Sequence, residues 1–184
     1  MIKPLCATLL LLCSTTSDNW DFQYSNNKEF IQGITNCTVQ FNAYIPPQYR
    51  SIIVISVAQA VHESDWGNSR FAKQGNNFYG IIETNPDNPH IKAKDKPIML
   101  KVYKNKCGSV VDYISLLNNG TNFNEYRNVR LKHENLQIVN LDELIETLHT
   151  FAIDKKYVYK IKTTVNFLLK KYPDIFLDMK GLKV

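Results

Sequence analysis

The sequence predicts a mostly helical α+β fold, and three observations lead to that prediction. First, an apolar pattern runs through residues 47–63, which is too long for a typical strand and indicates a buried helix. Second, helical patterns recur farther along the chain, at 108–117, 122–131, 141–148 and 155–172. Third, residues 78–82 and 98–103 have the composition of short strands and are expected to form a small sheet or hairpin. The polar, proline-bearing stretch between them, 83–97, is expected to be a loop.

Length and composition indicate one ordinary globular domain. The chain has 184 residues, 44% of them hydrophobic and 21% charged, which is enough for a substantial core. Its formal net charge of +5 suits a partner that carries carboxylates. No nucleic-acid-binding motif or arginine patch accompanies this charge, so we do not expect nucleic acid as a partner. We expect a monomer.

The first 17 residues have the pattern of a targeting segment. Lys3 supplies a positive start, an apolar run follows from Leu5 to Cys13, and small residues precede Asp18. The run is too short to span a bilayer. We therefore expect a signal peptide at 1–17 and export to the periplasm, the cell envelope or the medium, without stable membrane insertion. Acylation at Cys13 and a retained leader are the alternatives.

Residues 18–43 are expected to form a loosely held N-terminal arm and a first helix, which begins near Lys28. Outside the leader there are two cysteines, Cys37 and Cys107. They form one disulfide or remain two buried thiols, and the sequence leaves both open. No C-x-x-C motif or histidine cluster accompanies them, so we do not expect a zinc site. The sequence implies no other metal and no organic cofactor.

One carboxylic acid, Glu63, lies at the C-terminal end of the predicted apolar helix. Pro46 and Pro47 suit a helix start, and Gly67 suits a stop just past the acid. The partial negative charge of a helix C-terminus disfavours a second negative charge, and Trp66 adds an apolar wall. Both effects raise the pKa of a carboxyl group. A glutamic acid that stays protonated near neutral pH is what a general acid requires, although an ordinary surface Glu at a fraying helix end has the same pattern.

The residues around Glu63 resemble a known motif. The stretch A-Q-A-x-x-E-S-x-W-G-x-S-R-F-A at 58–72, followed by G-N-N-x-Y-G-I at 75–81, is similar to the core motif of the peptidoglycan glucosaminidases. This is glycoside hydrolase family 73, related to the mannosyl-glycoprotein endo-β-N-acetylglucosaminidase domain, and the chain resembles its Bax-like branch. Weaker similarity continues at 124–127 and 157–161.

The resemblance implies a lysozyme-like fold with a small β-hairpin lobe beside the cleft, in a catalytic domain at 44–177 with a tail at 178–184. It implies hydrolysis of the β-1,4 bond after N-acetylglucosamine in peptidoglycan glycan strands, with Glu63 as the general acid. Tyr126 matches a tyrosine that faces the active site in the family. The substrate-binding candidates are Trp66, Asn77, Phe78 and Tyr79. Of these, Trp66 is expected to be mainly structural, and for the other aromatic residues a place in the core is the alternative.

A second catalytic carboxylate is harder to place. Many members of the family carry one in the small lobe, and the candidates here are Glu83 and Asp95, neither of which falls in a pattern that aligns. Glu83 directly follows the extended segment and is the stronger candidate. Such a carboxylate would activate water in an inverting enzyme, whereas in a substrate-assisted enzyme the acetamido group of the sugar attacks. The sequence does not choose between them.

Two other functions agree with the sequence. A lytic transglycosylase or muramidase shares the fold and a Glu-Ser pair at a helix end, but it cuts the other glycosidic bond. A wall-binding protein with a degenerate cleft would also lack a clear second carboxylate.

Overall fold

A computed structural model of the chain describes residues 20–94, 96–176 and 182–183, and helices dominate this part. The helices are α1 (Asn27–Tyr44), α2 (Ile53–Ser64), α3 (Arg70–Gly75), α4 (Lys106–Asn119), α5 (Asn124–Leu136), α6 (Leu141–Glu146), α7 (Tyr157–Lys171) and α8 (Pro173–Phe176). Single 3₁₀ turns lie at Pro47–Tyr49, Thr121–Phe123 and Thr147–Thr150. The predicted α+β, mostly helical class is confirmed.

A small antiparallel sheet forms the β part of the fold. Its strands are β1 (Ile82–Glu83), β2 (His90–Lys92) and β3 (Met99–Lys101), in the order β1-β3-β2. Leu100 stands at its centre, opposite Ile82 on one side and Ile91 on the other. The predicted strand at 98–103 is confirmed as β3, whereas the predicted strand at 78–82 is wrong except for Ile82, and β2 lies in the stretch predicted to be a loop. None of the three residues of β2 is buried, so its sequence has no buried face that an alternating pattern could reveal. A parallel pair joins β4 (Val139–Asn140) to β5 (Leu182–Lys183).

Helix α2 runs through the centre of the protein, between α1 and α7. Nine of its twelve residues are buried, as expected of a helix that is apolar on all sides. It begins at Ile53 rather than at Pro47, which corrects the predicted start. The reason lies in Asn42: its side chain accepts a hydrogen bond from the Ser51 backbone N–H (2.9 Å) and donates to the Ser51 carbonyl (2.8 Å). This pair of bonds holds the chain extended before the helix.

Side-chain caps define several helix starts. Ser69 accepts a hydrogen bond from the N–H of Ala72 at the start of α3, as the sequence predicts. Asn140 likewise accepts from the N–H of Glu143 at the start of α6, which confirms the predicted cap of that helix. Helix α7 ends at Lys171, shortly before Pro173, which opens α8 instead.

Cys37 and Cys107 form a disulfide between α1 and α4. Their Cα atoms are 5.3 Å apart, and both residues are buried in the core. The structure therefore decides between the two alternatives that the sequence leaves open. The disulfide joins two helices that also pack against each other on one side of α2.

The N-terminal arm is packed against the core, which corrects the expectation that it is loosely held. The ring of Phe22 lies over Gly33 of α1 and 5.9 Å from the ring of Phe78. Tyr24 packs edge-on against Phe30, with the ring centroids 5.1 Å apart, and Trp20 packs against a tyrosine at the end of α1. The alternating aromatic residues of this segment all contact the folded protein, so the segment is part of the fold.

Replacing Gly33 with alanine is expected to destabilise the protein by about 1–3 kcal/mol, because the added methyl group would overlap the Phe22 ring. A Cβ at Gly33 would lie 2.0 Å from Phe22 Cδ2. The matched control is Gly108→Ala in α4, where the nearest atom would lie 3.4 Å away and the alanine should be neutral or stabilising. Thermal unfolding measures both. Equal melting temperatures for the two variants would show that the arm does not pack on Gly33.

Candidate active site

The turn after α2 fixes the position of Glu63. The helix ends at Ser64, and three residues with positive φ follow: Asp65 (51°), Trp66 (58°) and Gly67 (76°). The predicted stop at Gly67 is therefore corrected to Ser64, with Asp65 as the left-handed cap. The buried Ser64 hydroxyl donates to the Ala60 carbonyl (2.6 Å) and accepts from the Gly67 N–H (2.8 Å), so the Glu-Ser pair also builds the turn.

The N-terminal arm braces the same turn from outside the motif. The Tyr24 hydroxyl donates a hydrogen bond to the carbonyl of Gly67, with an O–O distance of 2.8 Å. A Cβ at Gly67 would lie 2.6 Å from that hydroxyl oxygen and 2.8 Å from the Phe30 ring. Glycine at this position therefore provides both the left-handed backbone and the space for the arm.

Glu63 is partly buried, and its carboxyl group has few partners. Its Oε1 atom is buried and accepts no hydrogen bond from the described residues. Its Oε2 atom faces Gly80, where a Cβ would lie 3.9 Å away; Gly80 has a φ of +66°. Burial raises the pKa of Glu63 above the usual value for a glutamic acid, while the Tyr157 hydroxyl and the positive charge of Lys160 oppose the rise. The group therefore tends to keep its proton.

A chain of buried hydrogen bonds ends at Tyr157, beside Glu63. The Tyr113 hydroxyl donates to Gln59 Oε1, and Gln59 Nε2 donates to the Tyr157 hydroxyl at 2.8 Å. The Tyr157 hydroxyl in turn interacts with the Glu63 carboxylate. Gln59 lies one helical turn before Glu63, so both face the same side of α2. The network orients the phenol beside the acid.

Tyr157 is the main residue of this site that the sequence prediction missed. It opens α7, its side chain is 1% exposed, and it is 98 residues away from Gln59 in the chain. The signal that could have identified it is its position as the first residue of the 157–161 segment, where the resemblance to the family continues. Helical periodicity alone marked it only as a core residue.

Replacing Tyr157 with phenylalanine is expected to lower a reaction rate that depends on the Glu63 carboxyl about 2- to 10-fold, the value of one hydrogen bond. Because the phenol stabilises the ionised form of Glu63, its removal should also raise the pKa of that group. The pH at which activity falls on the alkaline side should then move upward. The control is Tyr159→Phe, an exposed tyrosine on the same helix. A pH–rate profile that is the same for Tyr157→Phe and the parent would contradict this role.

Tyr126, the tyrosine selected from the sequence, lies elsewhere. It is fully buried, with the Arg130 guanidinium 5.3 Å from its ring centre. It interacts with Ser51 and Ile52, which precede the N-terminal end of α2. Glu63 lies at the other end of that helix, about 15 Å away at the rise of 1.5 Å per residue. The structure therefore corrects the prediction: Tyr126 is a core residue that does not reach the acid.

Three of the predicted substrate-binding side chains are also buried, and burial corrects the expectation that they touch sugar. Asn77 bonds with its side chain to the backbone of Ile81 (N–H at 3.0 Å and carbonyl at 2.9 Å), which closes the turn. Phe78 packs into the aromatic cluster of the arm, 5.3 Å from Phe30. Tyr79 stacks on Tyr113 with the ring centres 4.0 Å apart. Asn77 therefore supports the turn at Gly80, and Tyr79 packs against Tyr113 of the hydrogen-bond network.

Glu83 lies in β1 and is only 8% exposed. Its Oε1 atom accepts hydrogen bonds from the N–H groups of Thr84 (2.9 Å) and Asn85 (2.8 Å). The bond from Asn85 is the largest of several effects that hold the pKa of Glu83 below its usual value. Glu83 is therefore ionised at neutral pH, and its pKa is shifted in the direction opposite to that of Glu63. The other candidate, Asp95, lies outside the described residues.

His62 and Trp66 lie close to Glu63 in the chain, one residue before it and three residues after it. Burial lowers the pKa of His62, and the charge of Lys160 lowers it further, while Asp154 opposes the shift, so the imidazole is neutral near pH 7. Trp66 is half-buried and packs edge-on against Phe167 of α7. Across the described ranges, no group of three or more His, Cys, Asp or Glu side chains is arranged to hold a metal ion.

Comparison with known proteins places this fold and motif in a family. The sequence model described as mannosyl-glycoprotein endo-beta-N-acetylglucosaminidase matches residues 46–169. The exo-glucosaminidase LytG of Bacillus subtilis (strain 168) is 31% identical over 150 residues, which cover 73% of this chain. The match spans about half, 51%, of that relative's length.

Solved structures show the same fold at low sequence identity. The catalytic domain of the autolysin Auto from Listeria monocytogenes superposes with a TM-score of 0.59 at 17% identity, covering 91% of this chain and 96% of that one. The glycoside hydrolase domain of FlgJ from Salmonella typhimurium gives a TM-score of 0.60 at 17% identity, covering 85% and 96%. These likenesses confirm the lysozyme-like fold. The matched sequence model and the similarity to LytG show that the chain belongs to the glucosaminidase family, glycoside hydrolase family 73.

Proposed function

We propose that this protein hydrolyses peptidoglycan at the β-1,4 bond after N-acetylglucosamine, with Glu63 as the general acid. The proposal rests on the position and environment of the Glu63 carboxyl group. It lies at the end of the central helix, partly buried, opposite a glycine, with a raised pKa. A protonated carboxyl in a partly desolvated site is what protonation of a glycosidic oxygen requires.

In the first step, Glu63 gives its proton to the glycosidic oxygen as the C1–O bond breaks, and the leaving sugar departs as an alcohol. Positive charge then develops at C1 of N-acetylglucosamine. Water adds there, directly or after attack by the sugar's own acetamido oxygen, and one proton returns to the enzyme. Gln59 orients the Tyr157 phenol, which interacts with the Glu63 carboxyl group during these steps.

We propose Glu83 as the group that activates the water. The environments of the two carboxyl groups push their pKa values in opposite directions, which is the pattern of an acid and base pair. Glu83 is ionised, as a general base must be, and it lies in the sheet three residues after Gly80, which faces Glu63.

Replacing Glu83 with glutamine is expected to lower hydrolysis about 100-fold, the value of a general base. Its amide oxygen can still accept the two backbone bonds, so the turn should persist while the charge is lost. The paired control, Asp95→Asn, should keep its activity on the same wall preparation. If Glu83→Gln retained full activity, acetamido participation would replace this route.

The experiment that tests the function is digestion of purified peptidoglycan, followed by borohydride reduction and mass spectrometry of the new ends. A glucosaminidase leaves N-acetylglucosamine at the reducing end, and a muramidase leaves N-acetylmuramic acid. A lytic transglycosylase leaves an anhydro end that cannot be reduced, because a hydroxyl of the same sugar replaces water. Only the first result supports the proposal, and binding without cleavage would indicate a wall-binding protein.

We also propose that the protein is exported and acts outside the cytoplasm. The Cys37–Cys107 disulfide supports this, because structural disulfides persist in oxidising compartments. The leader at 1–17, with its expected cleavage near Asp18, lies outside the described residues. In the part of the chain that is described, no helix combines the length and the apolar character needed to cross a bilayer.

A further inference from the structure

A cavity of about 360 Å³ lies between the end of α2 and the middle of α7. Six residues that line it bear on its chemistry: His62, Asp65, Trp66, Thr163, Thr164 and Phe167. Glu63 and the hydrogen-bond network behind it do not line it, so this is a separate space beside the acid. Its volume is within the range of small-ligand sites.

Two aromatic rings form the apolar part of the cavity. Trp66 and Phe167 meet edge to face, with their centroids 5.9 Å apart and their planes at 82°. In an edge-to-face pair, each ring has at least one face that the partner ring does not cover. Phe167 is 40% exposed, and its ring also has Tyr172 at 6.3 Å between centroids and the Lys171 ammonium at 5.6 Å. An exposed aromatic ring at a cavity wall is available for ligand contact.

Polar groups surround these rings. The Thr163 and Thr164 hydroxyls donate to helix carbonyls, each at 2.9 Å, so their oxygens can still accept hydrogen bonds. The carboxylate of Asp65 is exposed and forms no ion pair with a described residue. His62 is neutral and provides one ring N–H. The lining therefore offers acceptors, a donor and an aromatic face.

We propose that this cavity binds one N-acetylhexosamine ring of the glycan strand, as a subsite beside Glu63. The proposal rests on the function proposed above. A pyranose ring has a face of C–H groups and a rim of hydroxyl groups, which match the aromatic pair and the polar groups around it. The cavity lies at the same end of α2 as the acid: His62 and Asp65, which line it, flank Glu63 and Ser64 in the chain, and the His62 ring lies 5.7 Å from the ring of Tyr157. A strand cleaved at Glu63 can therefore extend into it.

The test is a titration of the full-length Glu63→Gln protein with the tetramer of N-acetylglucosamine, followed by calorimetry. The Gln variant prevents turnover. In that background, Phe167→Ala and Asp65→Asn should each weaken binding about 5- to 10-fold. The control is Tyr159→Ala, a more exposed aromatic residue on the same helix that does not line the cavity, which should bind like the parent. In NMR spectra, the indole N–H of Trp66 should shift on binding, while that of Trp20, which packs on Tyr44, should not.

The outcomes separate this inference from the proposed function. Parental affinity in both cavity variants, or no binding of the tetramer, would overturn the subsite even if the wild-type protein digests peptidoglycan. Binding to free stem peptides but not to the tetramer would overturn it as well, in favour of a peptide ligand at Asp65. Weaker binding in the cavity variants, with no wall digestion by the wild type, would support the subsite and reject the hydrolase.

Discussion

Replacing Glu63 with glutamine is expected to reduce peptidoglycan hydrolysis at least about 100-fold, because the amide cannot donate a proton in place of the carboxylic acid. The fold should persist, since glutamine has nearly the same shape and the Glu63 Oε1 atom has no hydrogen bond to lose. Turbidity loss of a wall suspension measures the activity, and circular dichroism measures the fold. The control is Glu125→Gln, an exposed acid on α5, which should hydrolyse like the wild type.

The raised pKa of Glu63 predicts the pH dependence as well. Activity that depends on the protonated acid should fall as the pH rises through this raised pKa. The free energy of unfolding should also fall as the pH rises, because the folded protein holds the proton more tightly than the unfolded chain does. The neutral Glu63 carboxyl contributes its full stabilisation below pH 4.5, the usual pKa of a glutamic acid. That stabilisation is lost as the pH rises through the pKa of the folded protein.

The Glu63→Gln variant should lack this loss of stability. Its melting temperature, relative to that of the wild type, should therefore rise between pH 4.5 and the folded pKa. A difference that stays constant across this range would show that burial does not perturb the carboxyl group. A folded Glu63→Gln protein that hydrolyses at the wild-type rate would remove Glu63 as the acid.

Reduction of the Cys37–Cys107 disulfide is expected to destabilise the protein by about 4 kcal/mol, because it releases a loop of about 70 residues in the unfolded chain. For a protein of this size, the melting temperature should fall by about 8–16 °C. Thermal unfolding with and without dithiothreitol measures the effect, and a thiol titration confirms that reduction is complete.

The double variant Cys37→Ala/Cys107→Ala is the control for the reductant itself. It should melt near the temperature of the reduced wild type and should not respond to dithiothreitol. A fully reduced wild type that keeps its melting temperature would show that the packing of α1 on α4 alone holds these helices together.

Local patterns in the sequence predicted much of the fold. The long apolar segment predicts the buried α2, since few other structures can accommodate so many consecutive apolar residues. The caps at Ser69 and Asn140 are predicted because a cap needs only a side chain and an N–H a few residues later. By contrast, β2 was missed, because pairing with β3 rather than its own composition makes it a strand.

Residue type and motif alone did not identify the neighbours of the acid. Tyr126 and Tyr157 are both buried tyrosines on helices after the motif, and their local patterns do not distinguish them. One packs near the start of α2 and the other beside Glu63 at its end. The same holds for Asn77, Phe78 and Tyr79, whose chemistry suits sugar binding as well as the core that they in fact occupy.

The sequence by itself determined that a glutamic acid ends a buried central helix, because helix length and termination depend on residues close together in the chain. Only the tertiary structure decided what surrounds that acid: Tyr157 from α7, Gly80 from the turn before the sheet, and the arm against Gly67. These contacts join residues far apart in the chain. They arise from the packing of α1 and α7 on α2, which a local pattern does not encode.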